Sequence, residues 1–106
     1  MVTVKDPPRI TLGNKARIAL EIDVAEVPTD PTELFLYVRG EHETLGPFEY
    51  GVGATIVRDS AGRFHADVIP TRTGRFAWRY DARGAASEPL AATEGEFHCV
   101  SILEAR

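Results

Sequence analysis

Twice between residues 63 and 82 the chain alternates strictly between apolar and polar side chains, and few other features limit its folding so tightly. In "RFHADVI" Phe64, Ala66 and Val68 fall on one side, with Arg63, His65 and Asp67 on the other. In "RFAWRYDA" Phe76, Trp78 and Tyr80 oppose Arg75, Arg79 and Asp81. A period of two places one set in a core and the other in water only if the backbone is extended, so both runs read as strands of a half-buried antiparallel sheet. The histidine, the aspartates and the arginines of this region are then the wet face of a sheet. Upstream, "ATIVR" is joined to the first run by Asp59-Ser60-Ala61-Gly62, a turn sequence with glycine where a positive φ is needed, which makes a hairpin. Asp59 is expected to cap that turn through its carboxylate.

The same period recurs elsewhere. "KARIALEIDV" puts Ala16, Ile18, Leu20, Ile22 and Val24 on one face, and "ELFLYVRG" puts Leu34, Leu36 and Val38 on one face and Phe35, Tyr37 and Arg39 on the other. "EFHCVSIL" closes the chain with Phe97, Cys99 and Ser101 inward. Between them, "AEVPTDPTE" carries two prolines that cannot continue a ladder and reads as a loop, while "EHETLGPFEYGVG" reads as a long arm with a short strand near residues 48–50. No apolar pattern of period 3.6 runs for ten residues, so no long helix is expected. With 106 residues, 43% of them hydrophobic and 26% charged, the chain suits one globular core better than two. The expectation is one domain over residues 1–106, an all-β, immunoglobulin-like β-sandwich of about seven antiparallel strands without a disulfide, since Cys99 is the one cysteine.

Charge and segments narrow the partners. A net charge of −4, with arginines interspersed among carboxylates, offers no basic field for nucleic acid. No apolar run is long enough to span a bilayer, and "MVTVKDPPRI" lacks the apolar segment of a signal peptide, so a soluble protein beginning at Met1 is expected, with no membrane partner. A lone cysteine fits assembly in a reducing compartment.

Candidate chemical groups weigh poorly. His42 stands between Glu41 and Glu43, but on a strand or loop their side chains diverge, and no paired histidine or cysteine spacing follows; a solvated loop is the expectation. His98 and Cys99 are neighbours on a strand and point to opposite faces, so they share neither a metal nor a proton, and Cys99 reads as a buried structural thiol. Asp59, Ser60 and His65 bring triad residue types together, yet Ser60 sits in a tight turn without the Gly-x-Ser-x-Gly elbow. "GVGAT" leads into a strand and not into a helix N-terminus, so it cradles no phosphate. The expected catalytic, cofactor and metal residues are therefore none.

One pattern departs from that plain account. If Leu34, Leu36 and Val38 face the core, Phe35, Tyr37 and Arg39 stand together on the outside, where aromatic and arginine side chains mark contact surfaces. These three are the expected interface unless a loop or the N-terminal segment covers them. A different binding mode, to a sugar through the loops at residues 46–53 and 83–94, wants an exposed tryptophan, and the single Trp78 falls on the inward face.

"TRTGRFAWRY" resembles the corner between the fifth and sixth strands of immunoglobulin-like domains, with Gly74 and aromatic Phe76 kept, and Trp78 standing where a disulfide cysteine is usual. Gly74, Phe76 and Trp78 are accordingly expected at a structural corner and in the core. Over most of its length the chain resembles the small immunoglobulin-like structural proteins encoded among the head and tail genes of tailed bacteriophages and prophages. The resemblance rests on the Gly-x-x-Ala-Arg opening strand, on Asp30-Pro31-Thr32, on the hairpin with Asp59, Gly62, Phe64, His65, Ala66 and Asp67, on Gly74, Phe76, Trp78 and Arg79, and on the Glu-Gly-x-Phe close with Gly95 and Phe97. It implies a non-enzymatic virion component, in capsid decoration, head–tail joining or the tail, assembled in the host cytoplasm. Its partners would be other capsid, neck or tail subunits, met in multiple copies. The alternative is an immunoglobulin-like module binding carbohydrate or a cell surface.

Overall fold

The computed structural model describes residues 9–85 and 89–101. Among these the chain runs through β1 (Arg9–Thr11), β2 (Ala16–Glu21), β3 (Asp23–Val24), β4 (Val27–Pro28), β5 (Glu33–Gly40), β6 (Thr44–Glu49), β7 (Ile56–Ser60), β8 (Arg63–Val68), β9 (Gly74–Arg83) and β10 (Pro89–Val100). Five strands make one sheet in the order β1-β10-β9-β5-β6, three make a second in the order β2-β8-β7, and β3 and β4 pair by themselves. All pairings are antiparallel except that of β1 with β10. A short strand running parallel to the last one, next to a sheet that continues through three antiparallel neighbours, and a second sheet facing it, give the strand order of an immunoglobulin-like sandwich.

The alternating residues pack between the sheets. Ile18, Leu20, Phe64, Ala66 and Val68 of the smaller sheet meet Leu34, Leu36, Val38, Phe76, Tyr80, Ala82, Phe97 and Cys99 of the larger in one continuous cluster, each nearly inaccessible to water. The Phe76 and Phe97 rings stack in parallel, with centroids 4.9 Å apart. The Tyr80 hydroxyl crosses the core to donate to the Ile18 carbonyl, and no buried side-chain nitrogen or oxygen lacks a partner among the described residues.

Three local expectations change. The alternation from Ala16 does not carry on to Val24: β2 loses its partner after the Glu21–Arg63 pair, Ile22 instead bonds the turn at Gly62, and Val24 is exposed. Val27 and Pro28 form the return strand of a two-residue hairpin, in which Pro28 pairs with Asp23 at the ladder's end, where a missing N–H costs little. This hairpin turns through Ala25 and Glu26 with φ of 52° and 68°, both positive as a tight hairpin requires, although neither is glycine. The short strand near residues 48–50 lies within a longer one, since β6 runs Thr44–Glu49 and pairs with β5 through an irregularity between Leu36 and Val38.

Candidate protein-contact face

Loops are fastened by carboxylates that reach across the sandwich. Asp30 Oδ1 accepts the Gly62 N–H at 2.8 Å and its Oδ2 accepts from Arg58 at 3.1 Å, so the Asp30-Pro31-Thr32 segment holds the β7–β8 turn. The Gly62 hydrogen bond and then Arg58 keep the Asp30 carboxyl below its ordinary range. Glycine is required at position 62 because φ is 69° and a methyl group there would stand 2.8 Å from Thr29 N. The expected cap from Asp59 is absent; its carboxylate turns to His65 Nδ1 at 2.8 Å, because the irregular pairing between Arg58 and Ser60 swings it onto the sheet face.

Glu41 and Glu43 are not the freely solvated loop residues expected beside His42. Glu43 accepts from the Thr71 and Arg72 N–H groups at 2.8 and 3.1 Å and from the Thr71 hydroxyl at 2.6 Å, and Glu41 accepts the Arg75 N–H at 2.9 Å. Partial burial pushes the Glu43 carboxyl up, but these bonds outweigh it and hold the group below its usual value. They tie down the corner before β9, where Phe76 has no hydroxyl to do so. Gly74 sits at that corner with φ of 125°, and Phe76 is buried with its ring over Gly40. Trp78 faces inward, edge-on to Tyr80, but is only half-buried. Its ring lies over Gly95 of β10. Cys99 is buried and its thiol is pushed up, by desolvation and then by Glu43, which leaves it a packing group.

The outer face of the three-stranded sheet is tiled with charge pairs. Arg17 and Asp67 bond through two contacts at 2.9 and 3.1 Å, Arg63 meets Asp23 at 3.1 Å, and His65 meets Asp59. Among the described residues no hydrogen bond joins Ser60 to His65, so the triad types do not assemble into one. The Arg17 guanidinium holds the Asp67 carboxyl low.

The outer face of the five-stranded sheet differs. Its rows run Phe35–Asp81–Ala92, Tyr37–Arg79–Glu94 and Arg39–Ala77–Glu96 from β5 through β9 to β10. Toward β10 it resembles the other face, with Arg79 and Glu94 at 3.2 Å and Arg75 and Glu96 at 3.7 Å. Toward β5 it does not: Tyr37 is 44% exposed, Phe35 is half-buried beside it, and Arg39 makes no ion pair among the described residues. Ala77 leaves a hollow between Tyr37, Arg39 and Arg79 of about 340 Å³. The alternation within "ELFLYVRG" predicted the three outward residues; the hollow depends on Ala77, nearly forty positions away in sequence, and on strand order.

The remaining candidates stay apart. His42 is exposed and His98 half-buried, and no three histidine, cysteine, aspartate or glutamate side chains among the described residues could hold a metal ion. The segments expected as sugar-binding loops are partly strand, since β6 runs to Glu49 and β10 begins at Pro89. They do approach one another, with Tyr50 bonded to Leu34 and Arg83 paired with Glu33 at the same end, but Tyr50 packs edge-on against Phe64 and Trp78 lies elsewhere, and residues 86–88 are outside the described part. No helix among the described residues is long and apolar enough to cross a membrane. Set beside family models, curated proteins and solved structures, the chain matches none of them. The fold and the two unlike faces are therefore what define it: an all-β, immunoglobulin-like sandwich with a small aromatic patch on its larger sheet.

Proposed function

We propose that this chain is a non-enzymatic structural protein of a tailed bacteriophage or prophage particle, acting in capsid decoration, head–tail joining or the tail, and that it binds neighbouring virion subunits through Phe35, Tyr37 and Arg39. The observation that carries the contact face is the contrast between the two outer sheet surfaces. One pairs its charges, as a surface facing water does; on the other, Tyr37 and Arg39, which makes no ion pair among the described residues, border a hollow with half-buried Phe35 nearby, the composition that protein contacts favour. The virion setting is supported by the resemblance of the opening strand, the Asp30-Pro31-Thr32 segment, the hairpin and the Gly95–Phe97 close to small phage structural proteins. A sandwich is silent about activity, so the reading rests on the patch and on that resemblance. Quantitative mass spectrometry of purified particles from cells carrying the gene tests it. The protein is expected in a fixed ratio to the major capsid or tail-tube subunit, and its absence from intact particles would refute the assignment.

A further inference from the structure

Four outward positions on β5 and β9 form one rectangle on the larger sheet: Tyr37 pairs with Arg79, and Arg39 with Ala77. Cβ atoms that face each other across such a ladder are about 4.5–5.5 Å apart, and diagonal ones about 7–8 Å. Three corners carry long side chains and the fourth a methyl group, so Ala77 is the floor of the hollow. Arg39 flanks it across the ladder and Arg79 along its own strand, close enough for both guanidinium groups to reach one point above the methyl. Thr44, which pairs with Arg39, and Pro47 close the β6 side.

The charges around the hollow do not balance. Its lining holds two arginines and one carboxylate, Glu94, in a chain of net charge −4. Arg79 and Glu94 meet at 3.2 Å, but their side chains are 50% and 72% exposed, so water screens the pair and little is lost by parting it. Glu96, next to Ala77 on β10, lies toward Arg75 at 3.7 Å. Arg39 is exposed and makes no ion pair among the described residues. A basic, partly apolar hollow on an acidic protein selects a negative group with apolar surroundings.

Resting on the reading of β5 as a protein-contact face, we propose that this hollow takes an aspartate or glutamate side chain of the partner protein, its carboxylate held between Arg39 and Arg79 above the Ala77 methyl. Two guanidinium groups offer donors that match the two oxygens of one carboxylate, and Arg39 gains a counter-charge. Tyr37 and Pro47 give apolar wall to the stem of that side chain and to an apolar neighbour. At about 340 Å³ the hollow lies at the small end of ligand cavities, with room for one side chain and part of the next. On binding, Arg79 turns from Glu94 to the incoming carboxylate, and Glu94 returns to water.

Magnetic resonance titration of the isotope-labelled full chain tests this. The probes are capped pentapeptides with a central glutamate between leucine, phenylalanine or proline neighbours, and the same peptides with glutamine. A glutamate peptide is expected to shift the backbone amides of Tyr37, Arg39, Ala77 and Arg79 saturably, and its glutamine counterpart is not. Arg39→Gln, at an exposed position, is expected to keep the wild-type melting temperature and to weaken binding by about tenfold. Glu94→Gln removes the carboxylate that competes for Arg79 and is expected to tighten binding by up to about fivefold, a gain that a purely apolar contact would not show. Arg17→Gln, on the outer face of the smaller sheet, is expected to change nothing. The proposal is overturned if no glutamate peptide shifts these amides, if glutamine serves as well, or if Arg39→Gln leaves the affinity unchanged. Shifts of the same amides on concentrating the protein alone would give the hollow to a second copy and overturn it too. Because the titration uses the isolated chain, its failure removes the acidic group and leaves the contact face to be judged by incorporation into particles, whereas binding by a protein absent from particles removes the virion setting alone.

Discussion

Tyr80 shows how one residue can join two sheets. It is fully buried, its ring meets Trp78 edge-on, and its hydroxyl donates to the carbonyl of Ile18 on the facing sheet. Desolvation, and to a lesser degree the charge of Asp67, pushes the phenol well above its ordinary value, so it remains a neutral donor. Tyr80→Phe keeps the ring and leaves the carbonyl without its partner, which is expected to cost about 1–3 kcal/mol in a urea titration. An unchanged midpoint would show that water replaces the hydroxyl. The inward direction of Tyr80 is legible in the alternation of "RFAWRYDA"; its bond is not, because a period of two tells which side a residue faces and nothing of what lies opposite. Trp78 makes the same point. It has the parity of Phe76 and Tyr80, yet Phe76 and Tyr80 are buried and Trp78 only half so, since burial also depends on what lies across from a residue and not on parity alone.

Among the elements, the strands are largely written in the sequence and the fastenings between them are not. β5, β8 and β9 follow from alternation alone, and the hairpin of β7 and β8 from the turn sequence that joins them. Asp30 grips Gly62 from 32 positions away, and Glu43 grips Thr71 from 28 away, so no local pattern announces either; a reading from neighbours leaves Glu43 in water and gives Asp59 the cap that Asp30 supplies. These bonds have a consequence for acid stability. Asp30, Glu43 and Asp67 all have carboxyls held below their ordinary values in the folded protein, so the stability they add is present above the unfolded value, near pH 4, and lost as pH falls below it and the unfolded chain takes up protons first. Asp30→Asn cannot titrate at that position. Its melting temperature is expected to lie below that of the wild type at neutral pH, and the gap is expected to narrow on acidification to about pH 3. A gap that stays constant with pH would mean that the Asp30 charge does not matter to folding.

At the scale of the molecule, the two outer surfaces of one sandwich have diverged in composition. On the face of the smaller sheet the arginines pair with nearby carboxylates, whereas on β5 Tyr37 is exposed, with half-buried Phe35 beside it, and Arg39 makes no ion pair among the described residues. Two such aromatics, covered by a neighbour at about 25 cal/mol per Å² of apolar surface, contribute on the order of several kcal/mol, and contacts of that size become decisive when many copies act together. The fold class was legible from periodicity because a half-buried sheet has to alternate. The partner was not, because a contact face is defined by what covers it. The most direct measurement replaces Phe35 and Tyr37 together by lysine, checks folding by circular dichroism and thermal melting, and counts the protein in purified particles. The expected result is a folded domain that is missing from the particles; a folded double variant incorporated at the wild-type copy number would contradict the claim that this face makes the contact.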